Sequence, residues 1–167
     1  MEKTFIDPMF AGFYQIGFVT SDMDRSISFF EKTMGVPKFL KLEKPEIRNQ
    51  TLYGEPLDID VNLAFGQMGN TNIEIIEPIR GHSTYDEFLK KYEWMGIHHM
   101  AVKVFDYDAT MKRLTDQGLK IAQAGEVGDS TKFTYLDTVK EYGHYLEVLY
   151  FDLGYEKIFD QIKRGDF

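Results

Sequence analysis

Two carboxylates stand where a charge is costly. Glu74 lies inside the apolar run NIEIIEP and Glu147 inside HYLEVLY. An unpaired buried charge costs on the order of several kcal/mol, so each needs compensation. Two other polar residues open apolar runs of their own: Gln15 in YQIGFVT and His99 in HHMAVKV. An amide oxygen, an imidazole nitrogen and two acids together suit a hard or borderline divalent ion, with two waters completing an octahedron. Zn, Ni, Co, Mn, Fe and Mg all fit that donor set. The candidate metal ligands are therefore Gln15, Glu74, His99 and Glu147.

A repeat is what could bring these four together. FYQIGFVTSDMDRSISFFEKTMG starts at Phe13, and HHMAVKVFDYDATMKRLTDQG starts at His98. Gln15 and His99, Asp22 and Asp106, and Asp24 and Asp108 are each 84 positions apart. Each copy reads as strand, turn, helix and glycine stop. A unit this small cannot bury its apolar face alone, so the copies should pack on one another. Asp22 or Asp24, and Asp106 or Asp108, are the expected helix caps. Gly35 and Pro37 stop the first helix.

Strand alternation assigns faces. Gln15, Gly17 and Val19 share one side, as do His99, Ala101 and Lys103. The smaller set should face a cleft and the bulkier set the helices, which points His98 away from the cleft. Glu74 projects with Asn72 and Ile76, and Glu147 with Tyr145 and Leu149. The expected substrate pocket is lined by Val19, Asn72, Lys103, Phe133, Tyr135 and Tyr145. Lys44 to Asp58, with two prolines and a glycine, reads as a loop. Pro78 reads as the end of the strand carrying Glu74. A short helix should begin near Ser83 or Thr84, and a tail helix over 155–164 should dock on the body or on a second subunit.

Composition limits the alternatives. The 167 residues, 43% of them apolar, can build a sizeable core. The absence of cysteine removes disulfides, thiolate zinc sites and cysteine nucleophiles. A net charge of -8 argues against nucleic acid. The sequence has no signal-peptide pattern and no long apolar span, so a cytoplasmic, non-membrane protein is expected.

The segments YQIGFVTSDMDRSISFF, NIEIIEP, GIHHMAVKVFDYDAT and YLDTVKEYGHYLEVLY resemble the vicinal oxygen chelate superfamily, which includes glyoxalase I, methylmalonyl-CoA epimerase, extradiol dioxygenases and bleomycin-resistance proteins. The resemblance runs from Tyr14 to Tyr150. It implies an α+β fold: two tandem βαβββ modules forming a curved mixed sheet around a central cleft. It frames residues 1–167 as a single glyoxalase-like domain, with module one about 13–78, a connecting segment about 79–95, module two about 96–150 and a helical tail about 155–164. The family's ligand positions fall on Gln15, Glu74, His99 and Glu147. That set is similar to the animal type of glyoxalase I, while the IHH stretch is similar to methylmalonyl-CoA epimerase, which usually carries histidine where Gln15 stands.

The resemblance also implies a reaction: a metal-dependent isomerase or lyase abstracts a proton beside a carbonyl, through an enediolate-like intermediate. Glu147 is the expected base and Glu74 the second catalytic acid. Glu46 and Glu55 lie in the region from which the epimerase branch draws a further acid. A metal-free binding or sequestration protein of the bleomycin-resistance type and an Fe(II) dioxygenase are the alternatives. The expected partners are a small-molecule substrate, hydrophobic or aromatic, and a second copy in a homodimer.

Overall fold

A computed structural model describes residues 10–167. The first module contains β1 (Phe10–Thr20), α1 (Met23–Met34), β2 (Phe39–Glu43), β3 (Ile47–Leu52), β4 (Glu55–Pro56), β5 (Asp60–Met68) and β6 (Thr71–Arg80). After α2 (Thr84–Leu89), the second contains β7 (Met95–Val104), α3 (Tyr107–Asp116), β8 (Ile121–Val127), β9 (Thr131–Leu136), α4 (Val139–Tyr142) and β10 (Tyr145–Tyr150), followed by α5 (Leu153–Arg164).

All ten strands join one mixed sheet in the order β2-β5-β6-β1-β7-β10-β9-β8-β3-β4. In each half the first strand pairs parallel with the last, β1 with β6 and β7 with β10. The halves meet where β1 runs antiparallel to β7. The expected pair of βαβββ modules is therefore present.

Local chemistry sets the helices. Asp22 caps α1 by accepting from the Arg25 N–H, and Asp106 caps α3 by accepting from the Ala109 N–H. Such a cap is worth about 1 kcal/mol. Gly35 ends α1 at φ 70°, a left-handed position that suits glycine. Each helix covers the outer face of its own module. Phe30 of α1 packs with Ile73 and Ile75, and Leu114 of α3 packs with Val148 and Leu136. These are the neighbours of Glu74 and Glu147 that point the other way, so the acids face inward. Pro78 does not end β6, which continues to Arg80; it pairs with Val61 beside an irregularity in register.

A second expectation is overturned. The Lys44 to Asp58 segment carries strands β3 and β4, and β3 pairs with β8 of the other module. Its polar residues suit a sheet edge, where alternate side chains meet solvent. Eight strand spacings separate β2 from β3 in the sheet order, about 38 Å if the sheet were flat. Yet only residues 44–46 join them, a link that spans at most about 14 Å. The sheet must curl until its two sides nearly meet, and that curl encloses the cleft. The α5 helix closes one side: Ile162 is buried, and Phe159 packs on Tyr14, Phe65 and Phe151. Among the described residues no helix is long and apolar enough to cross a membrane.

Candidate active site

The four central strands carry two rows of residues across the concave face. Glu74, Gly17, His99 and Tyr145 form one row, and Asn72, Gln15, Ala101 and Glu147 form the next. Exchanging the modules exchanges Gln15 with His99, Glu74 with Glu147, Gly17 with Ala101, and Asn72 with Tyr145. The imidazole of His99 lies over Gly17. A methyl group there would sit 1.8 Å from His99 Cε1 and 2.1 Å from Nε2. Only a residue with no side chain leaves the ring its place.

His99 is fully buried. Its Nε2 stands 3.2 Å from Glu74 Oε2 and 3.3 Å from Glu147 Oε2. Both contacts are at ion-pair distance, and His99 Nε2 and Glu147 Oε2 are buried without a well-directed hydrogen bond. Burial by itself would lower the His99 pKa, but the charges of Glu147 and Glu74 outweigh it and push the ring up to about 9. Burial raises Glu74 above the usual carboxylate range, with the Glu147 charge adding to the effect and His99 opposing it.

Two orphaned buried atoms facing one another are a place for a proton or a cation. Among the described residues no three His, Asp or Glu side chains form a ready-made metal cage; the two acids close on the imidazole itself. Adjacent ligands of an octahedral ion nonetheless lie about 3.0–3.3 Å apart when the bonds are about 2.1–2.3 Å. The observed separations and the N/O donor set fit a divalent ion.

The amide of Gln15 is oriented by hydrogen bonding. Asn72 Nδ2 donates to the Gly66 carbonyl at 3.2 Å, which commits the nitrogen of that amide. Asn72 Oδ1 then accepts from Gln15 Nε2 at 2.8 Å. Among the described residues no hydrogen bond is donated to the Gln15 oxygen, and Gln15 lines the same chamber as Glu74 and Glu147.

His98 departs from simple alternation. The β1–β7 register steps from Gly17↔His99 to Phe18↔Ile97, which leaves His98 as the extra residue of a β-bulge. The bulge turns its ring to the inner side, among Tyr85, Phe88, Tyr135 and Tyr145. It does not point away from the cleft, because the alternation of strand side chains fails where one residue is skipped. An equivalent irregularity lies between Phe13 and Gln15 in the first module.

The chamber has a volume of about 460 Å³, within the usual range for small-molecule sites. Phe133 and Tyr135 are on its wall. Val19 and Tyr145 are buried in the same inner core but are not on that wall. Asn72 and Lys103 line a separate, smaller cavity. The Lys103 ammonium pairs with Glu156 and lies 4.2 Å over the Phe151 ring, outside the chamber. Sequence reading missed the walls supplied by Leu42 and Ile47 at the curled edges and by Tyr155, Ile158 and Phe159 of α5. The tail's apolar spacing signalled docking but could not say onto what. Among the described lining residues none is a lysine or arginine, and the acids are Glu46, Glu74 and Glu147. Glu55 is exposed on β4.

Paired βαβββ modules around a cleft with amide, imidazole and carboxylate side chains on the inner strands define the class. Residues 14–135 match the Glyoxalase/Bleomycin resistance protein/Dioxygenase superfamily, and the chain belongs to it. It is 25% identical over 111 residues to the ethylmalonyl-CoA/methylmalonyl-CoA epimerase of Cereibacter sphaeroides, covering 66% of this chain and 74% of that protein. It is 23% identical over 103 residues to bovine mitochondrial methylmalonyl-CoA epimerase, covering 60% of this chain but only 50% of the relative. The crystal structure of the Mycobacterium tuberculosis methylmalonyl-CoA epimerase superposes with a TM-score of 0.66 at 18% identity, covering 90% of this chain and 95% of that one. At that identity the likeness is one of fold.

Proposed function

We propose that this chain is a divalent-metal-dependent isomerase that moves a proton on the carbon beside a carbonyl. The carrying observation is the convergence of His99 Nε2 with Glu74 and Glu147 at 3.2 and 3.3 Å, with both acids and Gln15 lining one chamber and His99 buried behind them. Gln15, Glu74, His99 and Glu147 would hold the ion. When bound, it would polarise the substrate carbonyl and stabilise the negative charge that develops on its oxygen. Glu147 takes the proton: its Oε2 is buried and has no hydrogen-bond partner. Glu74 arrives from the opposite module and is the second carboxylate within reach to return it. The curled sheet and α5 exclude water around both.

The relatives named as epimerases support isomerisation over elimination. Glu46 adds support, since it reaches the same chamber from the link between β2 and β3; inversion at carbon is served by acids on two sides. The absence of a protein cation among the described lining residues supports an uncharged, hydrophobic buried portion of the substrate. Metal analysis combined with deuterium exchange at the α-carbon tests the reading, across acyl-CoA thioesters and α-hydroxy ketones. A metal-loaded protein that exchanges no α-proton on any of these substrates overturns it.

The direct closure of the acids on His99, without a ready-made cage, favours a second reading: a metal-free protein that sequesters an apolar molecule. Tight ligand binding that chelator treatment leaves unchanged would select it. A homodimer in the cytoplasm belongs to the same proposal, and light scattering after size-exclusion chromatography reads the assembly.

A further inference from the structure

We infer that Thr84, His98 and Gln123 form a positioning relay that holds His99 with its proton on Nδ1, so that Nε2 is the nitrogen presented to Glu74 and Glu147. The relay can be followed proton by proton. Gln123 Oε1 accepts from the Thr84 backbone N–H at 3.2 Å, which identifies that atom as the amide oxygen. The same oxygen stands 2.8 Å from Thr84 Oγ1 and has no proton to give, so the hydroxyl donates to it. Thr84 Oγ1 also lies 3.1 Å from His98 Nε2. The hydroxyl has spent its only proton, so His98 Nε2–H must donate to it.

His98 sits fully buried among four aromatic rings, an enclosure that suits a neutral imidazole. A neutral ring protonated at Nε2 has a bare Nδ1. That nitrogen is 3.0 Å from His99 Nδ1, a contact with room for one proton, and His99 must supply it. The far nitrogen of His99 is then the position that gains or loses a proton or accepts a cation. Groups that hold the second nitrogen of a ligand histidine in this way commonly contribute about 10–100-fold to metal affinity.

The relay spans three elements. Thr84 opens α2 in the connecting segment, Gln123 lies on β8, and the histidines lie at the β7 bulge. A residue skipped by the ladder therefore has a use: without the bulge, His98 would face the helices and could not reach its neighbour's ring.

The test combines nitrogen NMR with zinc titration on the whole chain. In ¹⁵N-histidine-labelled protein loaded with zinc, His98 should carry its proton on Nε2 and His99 on Nδ1, with a coupling between the two Nδ1 atoms across the hydrogen bond. Thr84→Val keeps the volume and His98→Phe keeps an aromatic ring, and both remove the link; each should weaken zinc binding about 10–100-fold while circular dichroism stays unchanged. Thr84→Ser keeps the hydroxyl, and His98→Asn offers an oxygen near the place of Nδ1; both should stay within about threefold of the parent. A His98 proton found on Nδ1 overturns the relay, as does a folded Thr84→Val protein with parental zinc affinity and an unaltered histidine spectrum. The inference rests on the proposed metal site for its affinity arm only. A protein that takes up no zinc defeats the proposed function, while the metal-free spectrum still reads the His98 tautomer.

Discussion

In the first module the proposed ligand side chain is steered from a neighbouring strand, whereas in the second it is steered by its own neighbour in the chain. Gln15 hands its nitrogen to Asn72 on β6. His99 hands its Nδ1 proton to His98, one residue back. Exchange of modules puts Tyr14 where His98 stands, but Tyr14 packs on Phe151 and Phe159 beneath α5. It puts Tyr145 where Asn72 stands, and Tyr145 instead stacks against His98. Duplication repeats the backbone positions and leaves each half to solve its own orientation problem. An amide must have its nitrogen occupied so that its oxygen is free. An imidazole must have its far nitrogen protonated so that the near one is bare.

The largest break in the comparison should come from the two acids. Glu147→Gln should lower α-proton exchange about 10²–10⁴-fold, the range for loss of a general base. Glu74→Gln should cost less in the chemical step and more in metal retention. Equal losses in rate from the two, measured by deuterium incorporation, would return the site to functional symmetry.

Next in size is the floor. Gly17→Ala puts a methyl 1.8 Å from His99 Cε1 and should cost at least about 100-fold in zinc affinity, the upper end of the 10–100-fold expected for a lost orienting group. Its pseudo-symmetric counterpart, Ala101→Gly, should keep the metal and lose about 1 kcal/mol of stability, the usual penalty for glycine within a strand. Calorimetry that finds the two substitutions equivalent would mean that the His99 ring does not need the space over Gly17.

Asn72→Leu frees the Gln15 amide to turn. It should weaken zinc binding about tenfold, the lower end for loss of an orienting group, and leave the His99 nitrogen shifts unchanged. A change in those shifts would show that the two halves are orientationally coupled.

The last comparison is set by pH. Metal must displace the His99 proton, and that ring is raised from 6.5 to about 9. Apparent zinc affinity should therefore rise about tenfold per pH unit up to about pH 9 and then level off. In the metal-free protein the sign is opposite. The raised pKa contributes stability that is full below about 6.5 and is lost as pH rises through about 9. Denaturant midpoints of metal-free His99→Gln protein should lack that decline.

The four proposed ligands stood out in the sequence because each signal was local. Glu74 and Glu147 stood out as acids in apolar strands, and the 84-residue offset tied Gln15 to His99. The caps at Asp22 and Asp106 and the stop at Gly35 were also local. The side taken by His98 was not, because a bulge is a property of two strands in register and neither strand shows it alone. The β3 pairing with β8 joins residues such as Arg48 and Glu126 across the molecule, and a loop-like composition hides it.

Composition and period alone thus determined two equivalent halves, inward-facing acids and the donor types a cation would meet, because burial cost and strand alternation act over a few residues. Tertiary structure decided the rest: which ring nitrogen faces the acids, that Gly17 is the space a ring fills, and that α5 and the curled sheet edges wall the chamber. Those outcomes depend on contacts between segments far apart in the chain, where hydrogen-bond direction and excluded volume act only once the strands are side by side.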